Sequence, residues 1–185
     1  VVIHNTPAID LKLEVRKEKT CGALSFAYVG SLNEERFIRK VVDVFKAEPD
    51  LRLYLGGMGP LEDYVKEASN EYDNIEYLGM VDYESSLGVY SQCDVMFAMY
   101  DPSIPNHRYS APNKVYEAML LGRPIIVSAG TGVDKLVAEN RIGFVIGYSS
   151  HDFINLLNTI RQEPELLKTM GRNARKAHKK YSWGI

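Results

Sequence analysis

Apolar residues along the chain fall into short β-branched or aromatic runs. Each run is followed by a longer stretch in which apolar positions recur every three or four residues. The pairing repeats about six times. Ala23 to Val29 reads as a strand ending at Gly30, and Phe37, Val41, Val42, Val44 and Phe45 give 34–46 a helical face that Pro49 stops. Leu51 to Leu55 is a second strand running into Gly56-Gly57-Met58-Gly59-Pro60, which opens a helix to about Tyr72. A third strand over 74–78 leads through Gly79 to a helix over 83–92, and a fourth over 94–99 leads into an irregular stretch, 100–111. A helix over 112–121 then ends at Gly122, a C-terminal cap glycine. Strands over 124–127 and 143–146 bracket a short helix over 133–140, and polar helices over 150–162 and 164–180 close the pattern.

Strands that alternate with helices at this spacing build an α/β fold, a Rossmann-like parallel sheet with helices on both faces. Continuous apolar runs such as Pro124-Ile125-Ile126-Val127 suit strands covered on both sides. Ligands in such sheets bind beyond the carboxyl ends of the strands. The turns over 30–36, 56–60, 79–83, 100–114 and 128–134 are therefore where chemistry is expected.

Composition narrows the class. The chain has 185 residues, 45% of them hydrophobic, which excludes disordered and collagen-like classes and suffices for one buried core. A formal net charge of −2 argues against a nucleic-acid partner, which needs a basic surface. Cys21 and Cys93 are the only cysteines, so no disulfide framework exists and a reducing, cytoplasmic setting is expected. No apolar run reaches the length of a membrane span, and no signal-peptide layout opens the chain. The first residue is Val1, and 1–20 is turn-like and charge-dense, so we expect a linker there and a domain over 21–185 cut from a longer protein.

The densest candidate chemistry lies over 110–122, Ser-Ala-Pro-Asn-Lys-Val-Tyr-Glu-Ala-Met-Leu-Leu-Gly. Ser110 reads as the helix N-cap with Pro112 in the first turn, and Val115, Ala118 and Met119 as the core face. Lys114 and Glu117, three apart on an otherwise apolar helix, must pair with each other or line a cleft. Free N–H groups at the helix start suit a phosphate or a sugar hydroxyl. Arg36, after the turn Gly30-Ser31-Leu32-Asn33, is placed for bidentate phosphate contact; the plainer reading is a solvated side chain beside Glu34 and Glu35. The glycine turn at 56–60 has neither the GxGxxG form nor a P-loop lysine. His4, His107, His151 and His178 show no metal-ligand spacing, and the basic run over 172–180 reads as a solvated helix face.

Several segments together resemble a known family. They are Phe26-Ala27-Tyr28-Val29-Gly30-Ser31-Leu32, Leu55-Gly56-Gly57-Met58-Gly59-Pro60, 74–81, Tyr90 with Cys93-Asp94-Val95, and above all Pro112-Asn113-Lys114 with Glu117-Ala118-Met119, Gly122 and Pro124-Ile125-Ile126. Gly143, Met170-Gly171-Arg172-Asn173-Ala174-Arg175 and Tyr181-Ser182-Trp183 complete the set. In order and spacing the chain is similar to the C-terminal donor-binding domain of a family 4 retaining glycosyltransferase, one half of the two-domain GT-B architecture.

That resemblance implies transfer of a sugar from a nucleotide-diphosphate donor with retention of anomeric configuration, with no cofactor and no obligatory metal. It makes Glu117 the holder of the ribose hydroxyls and Arg36 a diphosphate ligand, with Lys114 adding a charge contact. Gly79, Met80 and Val81 would face the nucleobase. Gly30 and Ser31 in the first turn, and Tyr109, Ser110, Ala111 and Asn113 around the start of the helix, would face the sugar and phosphates. Two positions depart from the pattern. Ser31 replaces the usual first basic residue, and Tyr109 replaces the glutamate eight positions before the ribose Glu, so that sugar contact falls to Tyr109, to backbone amides or to Asp101. The N-terminal acceptor domain would be a separate part of the same protein. Any contact with the inner membrane face would come through that half, and the fragment alone would be inactive. The alternatives are a non-catalytic nucleotide-sugar-binding or scaffold module, which Ser31 and Tyr109 favour, and half of a nucleotide-sugar epimerase. A dinucleotide-dependent oxidoreductase is disfavoured by the missing GxGxxG.

Overall fold

A computed structural model describes residues 22–181. The proposed linker over 1–20, Cys21 and the segment Ser182-Trp183 lie outside the described residues.

Six strands form one parallel sheet: β1 (Ser25–Val29), β2 (Arg52–Gly56), β3 (Ile75–Tyr77), β4 (Val95–Ala98), β5 (Ile125–Ser128) and β6 (Gly143–Ile146), in the order β3-β2-β1-β4-β5-β6. The strand order reverses between β1 and β4, as in doubly wound folds, and that reversal opens a crevice. The helices are α1 (Ile38–Lys46), α2 (Glu62–Glu71), α3 (Tyr83–Gln92), α4 (Asn113–Leu121), α5 (Asp134–Asn140), α6 (Ser150–Gln162) and α7 (Glu165–Tyr181). No helix among the described residues is long and apolar enough to cross a membrane.

Alternation along β1 divides the core in two. Phe26 and Tyr28 face α1, α2 and α6, where Phe45 and Phe153 pack on Phe26, and Ala27 faces α3, α4, α5 and α7. The expected core face of α4, Val115, Ala118 and Met119, is fully buried. Against α4 lies α7, close enough that a Cβ on Gly171 would press on the Gly122 carbonyl oxygen. Gly122 ends α4 at φ 65° while Arg123 donates its N–H to the Ala118 carbonyl, the six-to-one bond of a Schellman cap. The exposed face of α7 carries Arg172, Arg175, Lys176, Lys179 and Lys180, in line with a solvated basic run.

Two sequence expectations change. The single helix over 34–46 is broken: a 3-10 turn spans Glu34–Arg36, and Phe37 adopts φ 68° before α1 starts at Ile38. Left-handed backbone costs a bulky residue about 1–2 kcal/mol, so tertiary contacts must hold it there. Ser110 is not the N-cap of α4. It ends a second 3-10 turn, Pro105–Tyr109, and extended Pro112 takes the cap position. The pyrrolidine ring of Pro112 holds φ at −65°, and a residue before a proline is pushed out of the helical region, so Ala111 cannot extend the helix backward.

β1 is tied to the start of β4 at its amino end. Asp94 accepts from the Ser25 backbone N–H (2.8 Å) and hydroxyl (2.7 Å). Ser25 is buried, so Ser25→Ala is expected to destabilise the chain by about 1–2 kcal/mol. The check is a lower urea midpoint with an unchanged slope.

Candidate functional site

At its carboxyl end β1 parts from β4. The two strands pair only at Phe26 with Val95 and Ala27 with Met96. Val29 satisfies its backbone elsewhere: the Tyr90 hydroxyl accepts from its N–H (2.9 Å) and donates to its carbonyl (3.0 Å). A tyrosine from α3 thus takes over a place in the ladder, and the backbone beyond Val29 is free to turn away. That turn is held against its neighbours by Gly30 N–H to the Gly56 carbonyl, Leu32 N–H to that of Met58, and Gly57 N–H to that of Gly79. Gly57, at φ 117°, has no room for a side chain, because a Cβ would overlap the Gly30 carbonyl oxygen.

Lys114 enters the crevice from the first turn of α4. Its Nζ lies 4.6 Å from the Tyr28 ring centre and so close to Gly30 that a Cβ there would stand 3.0 Å from it. Burial pulls the ammonium down to about 8 against the pull of Glu117, and Arg36 lowers it further. The same burial raises the Tyr28 hydroxyl, which stays neutral and donates to the Ser31 carbonyl at 3.0 Å.

Arg36 leaves the 3-10 turn and lays its guanidinium on Tyr100, 3.8 Å above the ring. Its Nη1 is buried and unpartnered among the described residues. Glu34 and Glu35 are both exposed, and neither takes that guanidinium: Glu34 binds Arg39 at 2.6 Å, and Glu35 faces His107 at 3.9 Å. Tyr100 is in turn seated by its own N–H on the Ser128 hydroxyl (2.9 Å) and by His107, whose ring lies 5.4 Å away. The loop beyond β4 is latched to the arginine's turn, with Asp101 N–H donating to the Glu35 carbonyl at 3.0 Å.

Glu117 sits one turn along α4 from Lys114, 5% exposed. Burial raises its carboxyl, the Lys114 charge opposes that rise, and the Tyr83 and Tyr90 hydroxyls feel it in turn. Lys114 and Glu117 form neither an ion pair nor a hydrogen bond with each other, so they line the cleft instead of closing on one another. The result is two cations resting on aromatic faces, one buried carboxylate, and little protein neutralising any of them. Such a layout attracts a polyanion that also presents hydroxyls.

The other expected site residues surround this core unevenly. Gly30 and Ser31 lie in the same turn, with the exposed Ser31 hydroxyl accepting from Asn33. Gly79 (φ 70°) opens onto free space, Met80 is 76% exposed, and Val81 packs on Gly56. Ser110 is half-buried, while Ala111 and Asn113 are exposed at the start of α4. Tyr109 is 88% exposed, with its backbone next to the Gly132 turn. Sequence reading missed Tyr28 and Tyr100 as supports of the two cations. The signal was available, an aromatic residue just before the end of β1 and another just past the end of β4, the strands that flank the crevice.

No group of His, Cys, Asp and Glu among the described residues could hold a metal. Cys93 is a buried thiol pushed up to about 12 by burial, inert as a nucleophile. A separate concavity of about 340 Å³ between α5 and α7 is lined by Arg141, Lys176 and Lys180 with Glu139, Asn140 and Asn173. It contains none of the cleft residues. Arg141 and Lys180 stand at the C-terminal ends of α5 and α7, where they offset the helix dipoles.

The family model for glycosyl transferases group 1 matches residues 14–177. A D-inositol 3-phosphate glycosyltransferase of Gordonia bronchialis is 32% identical over 91 residues, 49% of this chain and 20% of that protein. Among solved structures, a sucrose-phosphate synthase from Thermosynechococcus elongatus superposes with a TM-score of 0.69 at 25% identity, over 86% of this chain and 41% of that one. HepE of Anabaena, solved with UDP-glucose, superposes with a TM-score of 0.70 at 19% identity, over 86% and 44%. The chain spans between a fifth and less than half of the length of the curated relatives it matches.

Proposed function

Since this chain belongs to the group 1 glycosyl transferases, we propose that it is the donor-binding half of such an enzyme, holding a nucleoside diphosphate sugar for transfer to an acceptor. The observation that carries the proposal is the pair of cations, Arg36 and Lys114, held on the faces of Tyr100 and Tyr28 with no carboxylate closing on either. A diphosphate seated between them would be neutralised where it binds. As the bond from the anomeric carbon to the diphosphate oxygen breaks, the electron pair passes to that oxygen and the two cations stabilise the added charge. Glu117 would accept hydrogen bonds from the ribose hydroxyls, charge-assisted and sheltered from water. The exposed Met80 and the open space at Gly79 leave the carboxyl edge of β3 free for a base.

HepE, a protein of the same fold, carries UDP-glucose in its crystal structure, which supports a nucleotide-sugar donor here. Retention of configuration and a hexose as the transferred sugar follow from the family resemblance. So do the absence of a required metal, a cytoplasmic site of action, and an acceptor domain beyond this sequence through which membrane contact would come. The exposed Tyr109, standing where the resemblance places a glutamate, favours a second reading, a module that binds the donor without transferring it. Transfer by the longer protein, assayed with the nucleotide sugar whose nucleotide binds, separates the two.

Calorimetry of this chain against UDP, GDP and ADP, each beside its nucleoside, tests the binding site. One nucleoside diphosphate is expected to bind, and Arg36→Ala to weaken it about tenfold while leaving the nucleoside unchanged. Equal losses for both would place Arg36 outside the phosphate site.

A further inference from the structure

The turn that carries Arg36 is held from outside. Tyr148 lies in the loop between β6 and α6, 112 positions further along the chain, and its hydroxyl bridges both ends of the turn: it donates to the Glu34 carbonyl at 2.8 Å and accepts from the Phe37 N–H at 3.0 Å. Glu34 and Phe37 are the residues on either side of Glu35-Arg36 and are joined directly by the Phe37 N–H on the Glu34 carbonyl at 3.2 Å, so the hydroxyl staples from outside a turn that also closes on itself. Phe37 is a bulky residue at φ 68°, a conformation it does not adopt unaided. Its ring is fully buried against Tyr148 (5.1 Å, edge-on) and Phe153 (5.6 Å), which anchors the side chain while the hydroxyl holds the backbone.

Tyr148 is itself fixed. Lys40 from α1 donates to its carbonyl at 3.2 Å and places its ammonium 4.2 Å from its ring centre. We infer that Tyr148 is a positioning residue, a hydroxyl clamp that sets the direction in which Arg36 leaves the backbone and so aims its guanidinium at the diphosphate. The inference rests on the donor-binding reading given above. It adds a specific dependence: the phosphate ligand on the β1 side of the crevice is set by the loop after β6, on the far side of the sheet's strand reversal.

Tyr148→Phe keeps the ring and its packing and removes only the staple. UDP and uridine binding are measured by calorimetry on the full chain for wild type, Arg36→Ala, Tyr148→Phe and the double variant. The order of the Arg36 Nε–Hε group is measured by ¹⁵N relaxation without ligand. Tyr148→Phe is expected to lower UDP affinity three- to tenfold, to leave uridine unchanged and to increase Arg36 side-chain motion. The double variant is expected to bind UDP as Arg36→Ala does. Undiminished UDP affinity in Tyr148→Phe, or a loss that adds in full to that of Arg36→Ala, overturns the inference. If wild type binds none of UDP, GDP and ADP, or Arg36→Ala binds normally the one that wild type binds, the donor-site reading fails instead; where GDP or ADP is the one bound, it and its nucleoside replace UDP and uridine in every arm. The relaxation measurement then decides the clamp by itself, with an unchanged Arg36 overturning it.

Discussion

Glu117→Ala is expected to weaken nucleoside diphosphate binding by about 1.5–3 kcal/mol, some ten- to a hundredfold, because hydrogen bonds to an ionised group are the strong ones. The main effect should fall on the ribose. A 2′,3′-dideoxy nucleotide has no hydroxyls to offer, so wild type should prefer the ribose form and Glu117→Ala should not. Folding should survive the change. The carboxylate is 5% exposed, raised by burial and hydrogen-bonded to no described residue, so its removal strands no hydrogen-bond partner, although the Lys114 ammonium loses a charge that favours it. A folded Glu117→Ala protein that still discriminates ribose from dideoxyribose would remove Glu117 from the site.

Lys114→Met should do two opposite things. The ammonium is pulled from 10.5 to about 8 by burial, and at neutral pH it is charged in both folded and unfolded chains. Its folded form therefore carries a penalty that is fully present below about pH 8. Between that value and 10.5 the unfolded chain binds more protons, so wild-type stability rises with pH across the window. Removing the charge should stabilise the chain by roughly 1–3 kcal/mol at pH 7 and abolish that rise, with residual solvent contact and the lost Tyr28 stacking keeping the gain below the full linkage value. The same substitution should reduce diphosphate affinity at least tenfold. In wild type, affinity should fall as pH climbs above about 8, because the bound anion needs the protonated amine. Thermal melts and calorimetry at pH 7 and 9 on both proteins read all of this. A destabilised Lys114→Met, or wild-type affinity that ignores pH over this range, would mean that the ammonium is not held as described. A stability gain coupled to lost binding is what a strained functional site produces.

Much of the fold is legible in the residues, for reasons that can be named. β1, β2, β4 and β5 are short apolar runs, and α3, α6 and α7 fall within a residue or so of where pattern, Gly and Pro put them. Pattern reading works there because burial of an apolar face is a local periodic property. It fails at Phe37, where an unbroken helical spacing conceals a turn, and at Ser110, where a good capping residue is passed over for Pro112. Apolar spacing cannot encode a positive φ. At Phe37 the conformation is held by a tyrosine hydroxyl 111 residues away, a contact invisible to any local window.

The candidate site divides in the same way. Arg36, Lys114 and Glu117 are candidates from the sequence, each with a plainer reading beside it, a solvated arginine next to Glu34 and Glu35 and an i,i+3 pair on one helix, and the family resemblance singles them out. Whether Lys114 and Glu117 pair or line a cleft was open, since i,i+3 spacing permits both. Tertiary structure decided it. The parting of β1 and β4 admits Lys114 beside Gly30, Tyr28 and Tyr100 offer the two cations π faces in place of carboxylates, and Tyr148 aims one of them. Residue types and their periodicity thus determined the class of fold and named the candidate charges. The direction in which those charges point, and how much water they keep, arose only from contacts between segments far apart in the chain, because desolvation and ring stacking depend on what surrounds a group in space.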